Sequence, residues 1–320
     1  MDKIIKGLQK LVIILAVMTL TVIAIKYDKI VSFEKLKSSM HKSPEVVTYQ
    51  AKSIKIKGVT KTYQFLYISD THVLLKTRDD LGSYGTAESR SEIFHTDKGV
   101  SSKIQFPNWI RLANQKNVDA VLMGGDIVDY ESKANYEYID KYLKYLDMDY
   151  LYTLGNHDAA VPWKSTFNYK NEQFLSHYKN KDYECQMLEY PSFIICSVND
   201  SEGSVSAKAL KEFKQIYKKG KPIILMLHVP MNTEKTPALE RDTLQTWQKI
   251  ILIGTDSTYG TDNNTKEFMD LVLAKSSPVV EVLSGHLHFH HEDSLNENIT
   301  QIVSDGSYKG KGLILKITGK

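Results

Sequence analysis

From about residue 46 onward the chain alternates short apolar runs with longer amphipathic ones. Tyr63–Ser69, Ala120–Met123, Tyr150–Leu154, Phe193–Val198, Ile223–Leu227 and Val279–Leu283 are short, apolar and followed within two residues by Gly, Asn, Asp or His, which predicts strands. Ser53–Lys57, Thr300–Val303 and Leu313–Ile317 add three more. Apolar residues at helical spacing predict helices over Pro107–Gln115 (with proline in the first turn), Ser132–Leu146, Ser206–Lys218, Pro237–Ile253 and Thr265–Ala274. Strands alternating with helices place the domain in the α/β (α+β) class. Residues 76–105 and 254–264, rich in Gly, Ser, Thr and Asp, read as loops, and loops of such length are usually functional or mobile. No internal repeat and no second domain boundary is visible within 46–320.

The N-terminus is a different material. Lys3, Lys6 and Lys10 precede an uncharged stretch, Leu11 to Ile25, which Lys26 and Lys29 close. As a helix it spans about 22 Å, short of the roughly 30 Å hydrocarbon core unless Leu8 joins and Lys10 snorkels. The absence of Ala-x-Ala favours an uncleaved signal-anchor over residues 1–27 against a cleaved signal peptide. A core helix fits poorly with the terminal position and the lysine bracket. Positive residues ahead of the stretch put the domain on the extracytoplasmic side of a single-pass cell-membrane protein, although lysines on the far side pull the other way. Residues 28–45 read as a lysine-rich stalk ended by Pro44.

Composition then narrows the function classes. The 320 residues carry 41 basic and 38 acidic side chains, a net charge of +3, so bulk electrostatic binding of nucleic acid is not expected. Only Arg78, Arg90, Arg111 and Arg241 offer guanidinium forks, so a phosphate site must find positive charge elsewhere. The Lys, Ile, Asn and Tyr bias fits an AT-rich bacterial coding sequence. Two cysteines, Cys185 and Cys196, flank a predicted turn at Glu189–Ser192. They could face each other as a disulfide, or pack reduced as small hydrophobes.

Five predicted strands run into metal-capable residues. Tyr63–Ser69 leads to Asp70 and His72, Ala120–Met123 to Gly125-Asp126, and Tyr150–Leu154 to Gly155-Asn156-His157-Asp158. Ile223–Leu227 leads to His228, and Val279–Leu283 to Gly285-His286-Leu287-His288. Ligands of α/β sheets bind outside the carboxyl ends of strands, so these residues form one polar cluster if the strands are parallel. The i, i+2 pairs Asp70/His72 and His286/His288 point two side chains the same way if the segment stays extended. The glycines fit tight turns that bring backbone close to a bound ion. Carboxylate, amide and imidazole donors without thiolate suit Mn, Fe or Zn. Each fragment alone is weak: His-x-His is more often surface polarity, and Gly-Asn a turn. Their order on five strand ends is what carries the signal.

That ordered set resembles the calcineurin-like metallophosphoesterase superfamily, over essentially Phe65 to His288. The resemblance implies a four-layer double β-sandwich flanked by helices, with two divalent metal ions at one end and a phosphate-ester substrate. It implies Asp70, His72 and His288 on the first metal, Asn156, His228 and His286 on the second, and Asp126 bridging both. It also implies His157 as the group that hydrogen-bonds the phosphoryl oxygen or protonates the leaving group, with Asp158 orienting its ring. The nucleophile would be a hydroxide bridging the ions. Purple acid phosphatases replace the first His and carry a ligating Tyr three residues after the bridging Asp. Here His72 is present and that position is Asp129.

The extra length between motifs holds Tyr84, Arg90, Arg241, Trp247 and Tyr259, where substrate selection would be sought. His290 and His291 read as exposed polar residues, because the ligand set is already full. Tyr136, Tyr138, Tyr142 and Tyr145 on one helix read as packing residues. The leading expectation is thus a membrane-anchored hydrolase of phosphate mono- or diesters. A pyrophosphatase acting on a lipid-linked or nucleotide diphosphate, a nuclease and a silent metal-binding scaffold are the alternatives. Against the last two stand the dispersed lysines and the presence of His157.

Overall fold

The computed structural model describes residues 2–76, 84–161, 166–254, 259 and 261–320. The chain divides into two units, Met1–Ser43 and Pro44–Lys320. The first is one helix, α1 (Asp2–Ser39), running without a break through both the expected anchor and most of the expected stalk. Ile14, Leu15, Val17, Met18, Leu20, Val22, Ile23 and Ile25 are each more than half exposed along it. Among the described residues, no helix is long and apolar enough to cross a membrane.

Among the described residues, the second unit holds eleven strands. In chain order they are β1 (Thr48–Ile56), β2 (Tyr63–Ile68), β3 (Ala120–Met123), β4 (Asp149–Tyr152), β5 (Cys185–Glu189) and β6 (Ile194–Val198). There follow β7 (Ile223–Met226), β8 (Val279–Ser284), β9 (His291–Ser294), β10 (Thr300–Val303) and β11 (Lys311–Gly319). The helices are α2 (Tyr84–Ser91), α3 (Ser102–Lys116), α4 (Lys133–Leu143), α5 (Glu172–Leu175), α6 (Ala207–Tyr217), α7 (Pro237–Trp247) and α8 (Asn263–Leu273).

Two mixed sheets result, ordered β1-β11-β2-β3-β4 and β5-β6-β7-β8-β10-β9. Strands β2, β3 and β4 are parallel neighbours in the first, and β6, β7 and β8 in the second. Between the sheets lies a dry layer of Phe65, Tyr67, Leu122 and Leu315 against Phe193, Ile195, Ile224, Met226 and Leu283. Helices α6 and α8 cover the outer face of the second sheet through Phe213, Phe268 and Val272. Helix α3 lies on the first, its Trp109 against Gly312 of β11 and its indole N–H donating to Ser307 O.

Several elements depart from the expected ones for identifiable reasons. Helix α3 starts at Ser102, so Pro107 sits inside it rather than in its first turn. Proline cannot donate to the carbonyl four residues back; the Tyr138 hydroxyl donates to that Lys103 oxygen instead, at 2.7 Å. Helix α7 stops at Trp247, because Gln248 turns left-handed (φ 58°) and its N–H closes the turn on Leu244 O. The stretch 76–105, expected as a loop, contains α2; residues 77–83 of it, and 255–258 and 260 of the second expected loop, lie outside the described residues. Strand β9, with the sequence His-Glu-Asp-Ser, has no apolar alternation and pairs as an edge to β10.

The cysteines do not sit opposite one another. Cys185 pairs with Val198 and Cys196 with Met187, a diagonal that leaves their sulfurs 3.7 Å apart and both thiols free.

One buried group carries a stability cost. Glu281 of β8 is 4 % exposed, and burial pushes its carboxyl up to about 8. A carboxyl whose folded pKa exceeds its unfolded one near 4.5 destabilises the fold as it ionises. The penalty is absent below pH 4.5 and fully developed above pH 8. Glu281→Gln is therefore expected to melt above the parent at pH 9 and together with it at pH 4, by thermal scans at the two pH values.

Candidate metal centre

The parallel strands deliver their carboxyl ends to one edge. The loops after β2, β3 and β4 supply Asp70, His72, Asp126, Asn156 and His157, and those after β7 and β8 supply His228, His286 and His288. Side chains of Asp70, His72, Asp126 and His288 converge within 4.8 Å of one another, as do those of Asp126, His228 and His286. Asp126 belongs to both groups. Asn156 joins the second, its Oδ1 3.2 Å from His228 Nε2.

The convergence is not achieved by extended backbone. Asp70, His72, Asp126, His286 and His288 all adopt left-handed φ, between 43° and 69°. Non-glycine residues there carry a cost of order 1–3 kcal/mol each and persist only where the surroundings enforce them. Backbone hydrogen bonds do so here. Asp70 and His72 donate to Gly125 O and Asp126 O at 2.9 Å, which locks the first two loops together. His286 N–H donates to both oxygens of Asp70 (3.0 and 3.1 Å), and Gly285 N–H to His228 O, which ties the β8 loop to both sheets.

The glycines are required by this crowding. A Cβ on Gly285 would lie 1.8 Å from Ser69 Oγ and 2.4 Å from Asp70 Oδ2. Gly125, at φ 91°, would press one to 2.5 Å from His228 Nδ1.

Asp158 has a different task from the expected one. Its buried carboxylate accepts N–H groups from Asp126, Ile127, Val128 and Gly155 and the Tyr152 hydroxyl, all at 3.1 Å or less. It thus clamps the β3 and β4 loops and makes no contact with the His157 ring. Burial, with the nearby Asp126 charge, pushes it up to about 6. The ring is held by Asp129, whose backbone oxygen takes His157 Nδ1 at 2.8 Å while its Oδ1 lies 3.5 Å away. Asp200, after β6, makes a matching clamp on the other sheet, accepting from His228 N–H (2.8 Å) and Val229 N–H (3.0 Å). Neither Asp129 nor Asp200 stood out in sequence as a site residue. The Asn-Asp that follows the β6 run at the same sheet edge was the available signal for Asp200.

The rings of His72 and His228 each present one nitrogen inward and have the other secured. His72 Nδ1 donates to Asp129 Oδ1 (3.1 Å) and His228 Nδ1 to Gly124 O (2.9 Å). His72 Nε2 then stands 3.0 Å from His288 Nε2, and His228 Nε2 3.2 Å from Asp126 Oδ2. His286 Nε2 is met by the Tyr259 hydroxyl at 3.3 Å. Such outer partners fix tautomer and orientation in metal sites.

Electrostatics agree with a cation site. Burial pulls His72 down to about 4 and His286 to about 3, so both are neutral donors at pH 7. Burial also pulls His228 down, but the Asp126 carboxylate beside it more than compensates and holds it at about 10, so this ring gives up a proton when it becomes a metal donor. Despite burial, neighbouring histidines keep Asp70 below and Asp126 well below the usual carboxylate range. Two buried carboxylates, four inward imidazoles and an amide oxygen form a hard-to-borderline donor set that fits two divalent ions sharing Asp126. With side chains of His72, His228 and Asp126 at 2 % exposure or less and His157 at 31 %, the opening lies on the His157 side.

Of the residues expected to select substrate, Arg90 grips Asp129, Trp247 packs on His288 (ring centroids 5.4 Å apart) and Tyr259 meets His286. Arg241 is an exposed partner of Asp242, and the side chain of Tyr84 lies outside the described residues. His291 is not a free surface residue: Asp242 and Asp293 flank its two nitrogens at 3.3 and 3.2 Å. Replacing Gly285 by Ala is expected to misplace Asp70 and lower Mn²⁺ affinity at least tenfold in calorimetric titration, the usual scale for disturbing the support of a ligand.

The model of the calcineurin-like phosphoesterase family matches residues 63–290. A dimetal phosphatase from Danio rerio is similar in fold, with TM-score 0.51 at 12 % identity over 77 % of this chain and 88 % of that one. A purple acid phosphatase from yellow lupin gives TM-score 0.46 at 11 % identity, over 78 % of this chain and 45 % of that one. No curated protein matches the sequence. The chain belongs to the calcineurin-like phosphoesterase family and is a metal-dependent phosphoester hydrolase.

Proposed function

We propose that the chain hydrolyses phosphate mono- or diesters at a dinuclear centre held by Asp70, His72 and His288 on one side, Asn156, His228 and His286 on the other, and Asp126 between. The observation that carries this reading is the pair of overlapping donor groups sharing Asp126. When bound, two divalent ions supply Lewis acidity toward phosphoryl oxygens and bring the pKa of water from 15.7 down to about 7. Positive charge at the site then comes from the ions, which suits a chain with four arginines.

The protein's own contribution is orientation and a proton. His157 Nδ1 is occupied by Asp129 O, which leaves Nε2 for the substrate. At the open side of the cluster it can hydrogen-bond a phosphoryl oxygen or protonate the departing alkoxide. The aspartate clamps Asp158 and Asp200 keep the ligand loops from shifting as charge develops.

The same proposal extends to α1, whose described apolar side chains between Ile14 and Ile25 are exposed. We assign it the role of a lipid tether that holds the catalytic unit at a membrane surface. A tether of that kind makes lipid-linked diphosphates the substrates to compare first with simple esters.

The test is the full chain with Mn²⁺ on chromogenic phosphomonoester, phosphodiester and diphosphate substrates in parallel. Turnover on at least one, abolished by chelation and restored by metal, is expected. Turnover on none, with two Mn²⁺ bound, contradicts the assignment. His157→Ala should keep its metal and lose about 10²–10⁴-fold in kcat; unchanged kcat removes it from the chemistry. In cell fractionation the full chain should remain with membranes through a high-salt wash, and release by salt alone contradicts the tether.

A further inference from the structure

The insert between β2 and β3 reaches the centre through one side chain that belongs to none of the five motifs. Arg90, from the last turn of α2, places Nε 2.5 Å from Asp129 Oδ2 and Nη2 2.5 Å from Asp129 Oδ1. We propose that Arg90 is a positioning residue that acts through Asp129 to fix the rings of His72 and His157. This inference rests on the phosphoesterase reading and adds to it a residue supplied by the insert.

The Asp129 side chain is fully buried, whereas that of Arg90 is 24 % exposed. A buried carboxylate is tolerated only when it is paired and hydrogen-bonded. Arg90 pairs it with a planar fork that grips both oxygens, so the carboxylate cannot rotate about its own axis. That fixed carboxylate then meets two catalytically important rings. His72 Nδ1 donates to its Oδ1 at 3.1 Å, which turns Nε2 toward Asp126 and His288. His157 Nδ1 lies 3.5 Å from the same oxygen and bonds the backbone oxygen of the same residue.

A second contact runs through an aromatic ring. The Arg90 guanidinium lies over Phe94, 5.3 Å from its centroid, and Phe94 is stacked on His72 at 4.0 Å and 11°. His72 is therefore held at its edge by Asp129 and on its face by Phe94, and Arg90 touches both supports. Lysine could supply the charge but not the fork, so it should hold one oxygen and leave the other free.

If Arg90 only kept α2 folded, removing it would not depend on Asp129. If it acts through Asp129, the two substitutions overlap. The experiment uses the full chain with Mn²⁺ and the chromogenic substrate it turns over best. Arg90→Met is expected to lower kcat about 10- to 100-fold with KM within about twofold, the scale of a misplaced catalytic group. Arg90→Lys should recover part of the loss. In an Asp129→Asn background, Arg90→Met should add less than about twofold.

A readout independent of turnover is the ¹⁵N spectrum of the imidazoles in the metal-free chain. Arg90→Met should move the His72 and His157 ring resonances while leaving His228 in place, and Arg90→Lys should return them partway. Multiplying kcat losses in the double variant, a rise in KM at unchanged kcat, or unmoved imidazole resonances each overturns the proposal. A wild-type chain that binds Mn²⁺ yet turns nothing over removes the phosphoesterase reading, and the imidazole spectra still decide the role of Arg90.

Discussion

Everything at the centre depends on buried carboxylates used as acceptors for backbone N–H groups. Loops at strand ends have no ladder to hold them, and here they must meet from two sheets at a single point. Asp158 gathers N–H groups from the β3 and β4 loops, Asp200 those of His228 and Val229, and Asp70 that of His286. Charge-assisted hydrogen bonds of this kind are about twice as strong as neutral ones. They can offset the strain of the left-handed backbone that aims the ligands inward. The arrangement leaves four imidazoles and two carboxylates crowded in a space from which water is nearly excluded. Such a cluster is poorly balanced by itself, and two cations are the chemistry that balances it.

Much of this was legible in the chain because the signals are local and repeated. Short apolar runs running into Gly, Asp, Asn or His announce parallel strands with a polar carboxyl edge, and all nine expected strands fall on strands of the two sheets. One of them, Leu313–Ile317, is only the middle of β11, which is longer than its apolar core because it pairs with β1 over nine residues. The seven donor residues follow from the same edge, since adjacency of β2, β3 and β4, and of β7 and β8, leaves them nowhere else to go.

What sequence could not give were roles set by tertiary partners. Asp158 follows His157 directly, so neighbourhood suggested that it orients the ring, but the turn directs its carboxylate into the loop backbone and leaves Asp129 on the imidazole. Two residues apart in an extended segment would explain Asp70 with His72; left-handed turns explain it in fact. Helix α2 escaped notice because Tyr-Gly-Thr-Ala-Glu-Ser-Arg-Ser has weak intrinsic preference and no apolar stripe. Its Arg90 is engaged with Asp129, thirty-nine residues away in sequence. The α3 boundary was lost for the opposite reason: a proline suggested a first turn, while the Tyr138 hydroxyl let it sit deeper.

The central claim is a spatial one, that the two donor groups meeting at Asp126 hold a pair of ions. The most direct measurement is a crystal structure of the chain with Mn²⁺, with anomalous scattering to locate the metal. The account predicts two anomalous peaks roughly 3.5–4 Å apart, with Asp126 touching both and His157 touching neither. A single peak, or two peaks elsewhere on the chain, would contradict it.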